Sequence, residues 1–133
     1  MESERLIVVD THAFVWWMNQ PDDLSRAARK ACEESEVLGI PAITCWEIAL
    51  LSARGRVLDR IDIHSWLNDV FEFSQNLLLP LTIPIAVRAV ALPPEVGRDP
   101  ADRLIVATAL EYGAPLVTKD RRIRDANVVE TIW

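Results

Sequence analysis

The feature that most constrains this chain is a set of short, nearly unbroken apolar runs: Leu6–Val9, Val37–Ile40, Leu77–Leu81 and Leu116–Thr118, with a further candidate at Val128–Ile132. A strand with one wet face alternates apolar and polar residues, whereas a continuous run needs cover on both faces. Between the runs lie segments of helical character. The spacing predicts helices over Thr11–Met18, Arg26–Glu34 after a Ser25 cap, and Thr44–Arg54 closed by Gly55. Further helices are predicted over Ile63–Gln75, over Ile85–Leu92, and from Asp99 to near Gly113, with 93–98 left as a loop. Strands that alternate with helices and are buried on both sides predict an α/β fold with a parallel sheet between helical layers.

The chain has 133 residues, half of them hydrophobic, which suits one domain spanning 1–133 with a real core. Cys32 and Cys45 form no CxxC or Cys/His cluster, so both are expected to be reduced core thiols. The opening MESERLIVVD has an apolar run too short for a leader or a membrane span, which predicts a cytoplasmic protein with no membrane association. The net charge of −6 argues against nucleic-acid binding driven by bulk charge. It is compatible with acids concentrated in one pocket and bridged to phosphate by a cation.

In an open parallel sheet, ligands bind beyond the carboxyl ends of the strands. Asp10 directly follows the first run, and Asp120 follows the fourth in LVTKD. Glu47 lies in the first turn of the helix after the second strand. Asp102 opens the helix that leads back into the fourth strand, in RDPADRLIVATAL. All four acids are therefore expected at one edge of the sheet, although lateral convergence depends on strand order.

Each acid also has a local explanation. Asp99 is placed as an N-cap with Pro100 at the first helical position. Asp102 could serve only the helix dipole, worth about 0.3–1 kcal/mol. Yet it continues the stripe of Ile105, Val106 and Ala109, so it should face the protein. Thr44 and Glu47 fit a capping box, but Glu47 also adjoins an apolar face. Asp10 could cap the following helix, and Asp120 could sit in a turn. Carboxylates that share a pocket repel, and hard divalent cations such as Mg²⁺ or Mn²⁺ relieve that repulsion. Such an ion activates water and stabilises charge on a phosphate. Arg98, Arg103, Lys119 and Arg121, with Arg122 and Arg124, flank this edge and could hold a phosphate backbone or simply be solvated. Thr118 could orient a water or a phosphate oxygen, or cap a turn.

These motifs together resemble a PIN-domain ribonuclease, specifically a VapC-type toxin of a bacterial toxin–antitoxin pair. LIVVDTHAFVWWM is similar to the family's opening strand and first acid, ITCWEIALL to the segment with the second, RDPADRLIVATAL to the third motif and LVTKD to the fourth. The resemblance spans nearly the whole chain. It implies a three-layer α/β/α sandwich with a central, mostly parallel sheet of four or five strands. It also implies endoribonuclease activity, with metal-activated water hydrolysing RNA phosphodiesters. The metal, Mg²⁺ or Mn²⁺, would be held by Asp10, Glu47, Asp102 and Asp120. Asp99 and Thr118 would support them. A small antitoxin and a homodimer are the implied protein partners.

Two alternatives stand beside it: an aspartyl-phosphate phosphatase or receiver-like protein, and a catalytically idle binding module. The first lacks a D-x-D at Asp10-Thr11-His12. Trp16 and Trp17 lie in a segment apolar nearly all round, as interface anchors or as core. Trp46 is expected in the core, and His12 and His64 in ordinary packing or surface roles.

Overall fold

Leu6–Val9 (β1), Val37–Pro41 (β2), Asn76–Leu79 (β3), Leu116–Val117 (β4) and Thr131–Ile132 (β5) form one sheet in the order β3-β2-β1-β4-β5 in the computed structural model, which describes residues 5–133. Every pairing is parallel. Residues 1–4, part of the opening read above as too short for a leader, lie outside the described residues. Among the described residues there are seven α-helices: Thr11–Asn19 (α1), Arg26–Glu34 (α2), Ala42–Ala53 (α3), Ile63–Val70 (α4), Ile83–Ala91 (α5), Pro100–Glu111 (α6) and Arg121–Ala126 (α7). None is long and apolar enough to cross a membrane.

The unbroken apolar strands do serve two faces. Ile7, Val9, Leu38, Ile40 and Val117 join Phe14, Ile48 and Val70 in one core. Val8, Leu79 and Leu116 join Val96, Ile105, Val106 and Ile123 in the other. Space is tight within the sheet at Gly39, where an added Cβ would sit 2.6 Å from Leu79 Cδ1 on the adjacent strand β3. Only glycine fits there without moving the neighbouring strand's core side chain. Both cysteines are free, and burial pushes the Cys32 thiol up to about 12, which keeps it protonated.

Several boundaries differ from expectation for identifiable reasons. Helix α4 stops at Val70 rather than Gln75 because Asn76 Nδ2 takes the Val70 carbonyl at 2.8 Å. Gln75 Nε2 is meanwhile drawn to the carbonyls of Cys32 and Ser35. Strand β3 covers Asn76–Leu79, not Leu77–Leu81, and lies at the sheet edge with Leu77 and Leu78 exposed. Helix α5 begins at Ile83 behind a Thr82 cap and packs on α6 through Ile85, Ala89 and Ala107. Helix α3 begins at Ala42, so Thr44 lies inside it and the expected Thr44–Glu47 capping box is absent. The segment 93–98, read as a loop, contains a 3-10 turn at Pro94–Val96. A second such turn occupies Pro21–Asp23. Helix α7 was missed, although Asp120 as its N-cap and a left-handed Asn127 at its end are ordinary helix signals.

Candidate active site

The chain runs outward from β1 to β2 and β3, then returns to place β4 on the other side of β1. The carboxyl ends of β1 and β4 therefore flank the point where the winding reverses, the customary ligand position in such sheets. Asp10 leaves β1 there, and Thr118-Lys119-Asp120 leave β4. Helices α3 and α6 bring their N-terminal turns to the same edge. Asp10, Glu47, Asp99, Asp102 and Asp120 all line one cavity of about 470 Å³, together with Thr11, His12, Trp16, Ile105 and Lys119.

Each acid is held by its element. Asp10 caps α1, its Oδ1 accepting from Ala13 N at 3.0 Å, while its own N–H donates to the Val117 carbonyl at 3.1 Å. The second contact ties β1 to β4 at the cavity floor. Asp99 caps α6, accepting from Asp102 N at 3.0 Å. Asp120 caps α7 through Arg122 N and Ile123 N. Glu47 Oε1 accepts from the Thr11 hydroxyl, which also lies 3.4 Å from the buried Thr44 hydroxyl. Thr118, fully buried, accepts from Asp120 N at 3.1 Å and its hydroxyl meets the Asp10 carboxylate. Two threonines, each one residue from a carboxylate or a strand end, thus orient the acids. The role of Thr11 was not read from the sequence, although its position directly after Asp10 was the available signal.

The electrostatics centre on Asp102. Burial pushes its carboxyl up to about 7, and Asp99, Asp120, Glu47 and Asp10 all push in the same direction. Burial raises Asp10 to about 6, with Glu47 adding to the rise. The Thr118 hydroxyl, Ala13 N and His12 oppose that rise. An anionic pocket with this much uncompensated charge suits a cation. Glu47, Asp99 and Asp102 each offer a carboxylate oxygen within 4.8 Å of the others, a hard all-oxygen donor set fitting a divalent ion. Asp10 and Asp120 line the same cavity outside that closest trio. Asp99 therefore caps its helix and also stands in the acid cluster, so its two roles are not exclusive.

The basic residues separate. Lys119 lines the cavity. Arg121 is exposed at the start of α7, and Arg98 lines a different, largely apolar groove beside α5. Arg103 is a correction: its guanidinium is turned away from the acids. Its Nε donates to Ala89 O at 2.9 Å, and its two amino groups reach Gly97 O at 2.7 Å, Val90 O at 3.3 Å, Pro93 O at 3.4 Å and Leu92 O. Those carbonyls belong to the end of α5 and the following loop, where a cation complements the helix dipole. Trp46 is also corrected, being 58 % exposed rather than core. It lies where α3 faces solvent, one position round from Glu47.

A model of the PIN domain matches residues 7–129. The chain belongs to the PIN-domain family. It is similar to Ribonuclease VapC22 of Mycobacterium tuberculosis, 42% identical over 118 residues and covering 89% of each chain. Two solved structures share the PIN-domain fold with a TM-score of 0.68. One is a toxin–antitoxin complex from Klebsiella pneumoniae, 21% identical and covering 96% of both chains. The other is VapBC2 from Rickettsia felis bound to a promoter DNA fragment, 16% identical over 95% of this chain and 96% of that one. The parallel α/β architecture expected from the apolar runs is thus the PIN-domain architecture. The aspartyl-phosphate alternative receives no support from this membership. A PIN-domain cavity in which burial and neighbouring carboxylates raise Asp102 and Asp10 is also hard to reconcile with an idle module, since ionising those two groups opposes folding.

Proposed function

We propose that this chain is the toxin of a toxin–antitoxin pair, a metal-dependent endoribonuclease acting on RNA phosphodiesters with Mg²⁺ or Mn²⁺. The observation that carries this reading is the meeting of five carboxylates at the reversal point of the sheet in a chain 42% identical to a ribonuclease. Glu47, Asp99 and Asp102 would hold the cation, with Asp10 and Asp120 completing the acidic wall. When bound, the cation neutralises the phosphate and activates the attacking water. Thr11 and Thr118 keep Glu47 and Asp10 aimed into the cavity. Lys119, at the rim, offers a charge to a phosphate beside the scissile one. With its carboxyl raised to about 7, Asp102 would hold a bound cation in competition with a proton. The whole of residues 1–133 acts as one nuclease domain, in the cytoplasm where RNA and a small antitoxin meet it.

Purified protein incubated with structured RNAs tests this. Cleavage is expected with Mn²⁺ or Mg²⁺, none with chelator, and none from Asp10→Asn, whose melting transition should persist. Full activity in that variant, or cleavage that ignores chelation, overturns the reading.

The chain also acts as a homodimer. Ile83, Val87 and Val90 are 81 %, 65 % and 83 % exposed on one stripe of α5, beside half-exposed Leu81. Together they leave a contiguous apolar patch bare, of the kind that marks an interaction surface. The stripe carries no charge, so it complements its own copy across a two-fold axis. Wild type should sediment as a dimer and Val87→Glu as a monomer. A monomeric wild type, or a Val87→Glu dimer, removes this assignment.

A further inference from the structure

We propose that Trp16 is a stacking platform for the base next to the scissile phosphate, a binding residue outside the acid cluster. This rests on the nuclease reading above and adds to it the side chain that receives the flanking base.

Trp16 is half-buried on α1, less than two turns beyond the Asp10 cap, and lines the same cavity as the acids. Its ring is braced by Trp133 at 5.9 Å and by the exposed His12 ring at 5.8 Å, both tilted. The Lys119 ammonium lies over it, 5.7 Å from the ring centroid. A cavity that only binds a cation needs carboxylates and water; an indole contributes nothing to that task. A ligand using both parts must carry an anionic group for the cation and a flat π-face for the ring. A nucleotide has both.

The cation over the ring marks an electron-rich face that a charged or flat group can reach. Lys119 is exposed and sits at the end of a flexible stem, so a base can take its place while the ammonium moves to a phosphate. His12, tilted against Trp16, adds a second aromatic ring to the cavity wall. A base inside a duplex has both faces covered by its neighbours, and only a splayed-out base can lie on the indole. Because every base has a π-face, the platform selects unpaired structure rather than sequence.

The test uses an RNA hairpin that wild type cuts in its loop, an analogue abasic at the nucleotide flanking the cut, and the same sequence as a full duplex. Wild type should lose roughly 5- to 150-fold in kcat/KM on the abasic RNA, the size of one base–aromatic stack. It should leave the duplex uncut. Trp16→Leu should show the same loss on intact RNA, mainly in KM, and little further loss on the abasic RNA. Equal cutting of intact and abasic RNA by wild type overturns the proposal without any variant. So does Trp16→Leu acting on intact RNA with wild-type constants, which would make the ring core packing or a protein anchor. If wild type cuts no RNA under any metal, the nuclease reading falls and the platform falls with it.

Discussion

Asp102→Asn is expected to abolish RNA cleavage and, in the same protein without metal, to raise its stability. The carboxylate is the group that all four neighbouring acids push toward protonation. Replacing it with a neutral amide removes a charge the fold resists, worth about 1–2 kcal/mol after solvent screening. That corresponds to roughly 3–8 °C in melting temperature for a domain of this size. Activity should fall by more than the roughly 10–100-fold typical of losing a residue that merely orients a ligand. A pure helix-capping role predicts the opposite pairing, with lower stability and retained activity. The pH dependence follows the same sign. The folded-state values, about 7 for Asp102 and about 6 for Asp10, lie above the unfolded value of 3.8. The folded protein therefore binds more protons than the unfolded chain between these limits, and these two groups make stability fall as pH rises through that window. Their penalty is complete above about 7. A divalent cation competes with those protons, so its stabilising effect should be larger at pH 8 than at pH 5.5. Melting curves with and without Mn²⁺ at the two pH values check this directly.

Arg103→Met should destabilise the fold by about 3 kcal/mol or more, because it leaves several half-buried carbonyls without a donor. The guanidinium joins the carbonyls of Ala89, Val90, Leu92, Pro93 and Gly97 to the first turn of α6. That turn carries Asp99 and Asp102, so loosening it should also blunt the acid cluster. The salt bridge between Arg88 and Glu111, 3.2 Å on the partly exposed flank of the same helix pair, cannot compensate. Urea denaturation measures the loss. A substrate-binding role for Arg103 would instead raise KM with the denaturation midpoint unchanged.

Much of the fold was legible because its determinants are local or periodic. Unbroken apolar strands require two covered faces, and the Ser25, Asp99 and Pro100 signals placed two helix starts where they are found. Four of the five site acids were legible as residues at the carboxyl edge, while Asp99 was read mainly as a helix cap. The misreadings fall where a distant partner intervenes. Helix α4 ends early because Asn76 captures its last carbonyl, and Thr44 faces Thr11 instead of capping a helix. Arg103, flanked by acids in the sequence, reaches another helix because its long side chain can turn away from its own first turn. Trp16 was left open between core and interface because helical periodicity says which face is apolar, not what stands opposite it.

The order of residues alone determined the alternation of elements, the parallel sense of the sheet and the edge at which the acids emerge. Spacing and chain direction act within a few turns and need no knowledge of neighbours. Only the tertiary structure decided that β4 lies beside β1, that the five acids share one cavity, and that an indole forms part of its wall. Strand order and side-chain direction depend on contacts between residues far apart in the chain, where packing and charge, not periodicity, choose the arrangement.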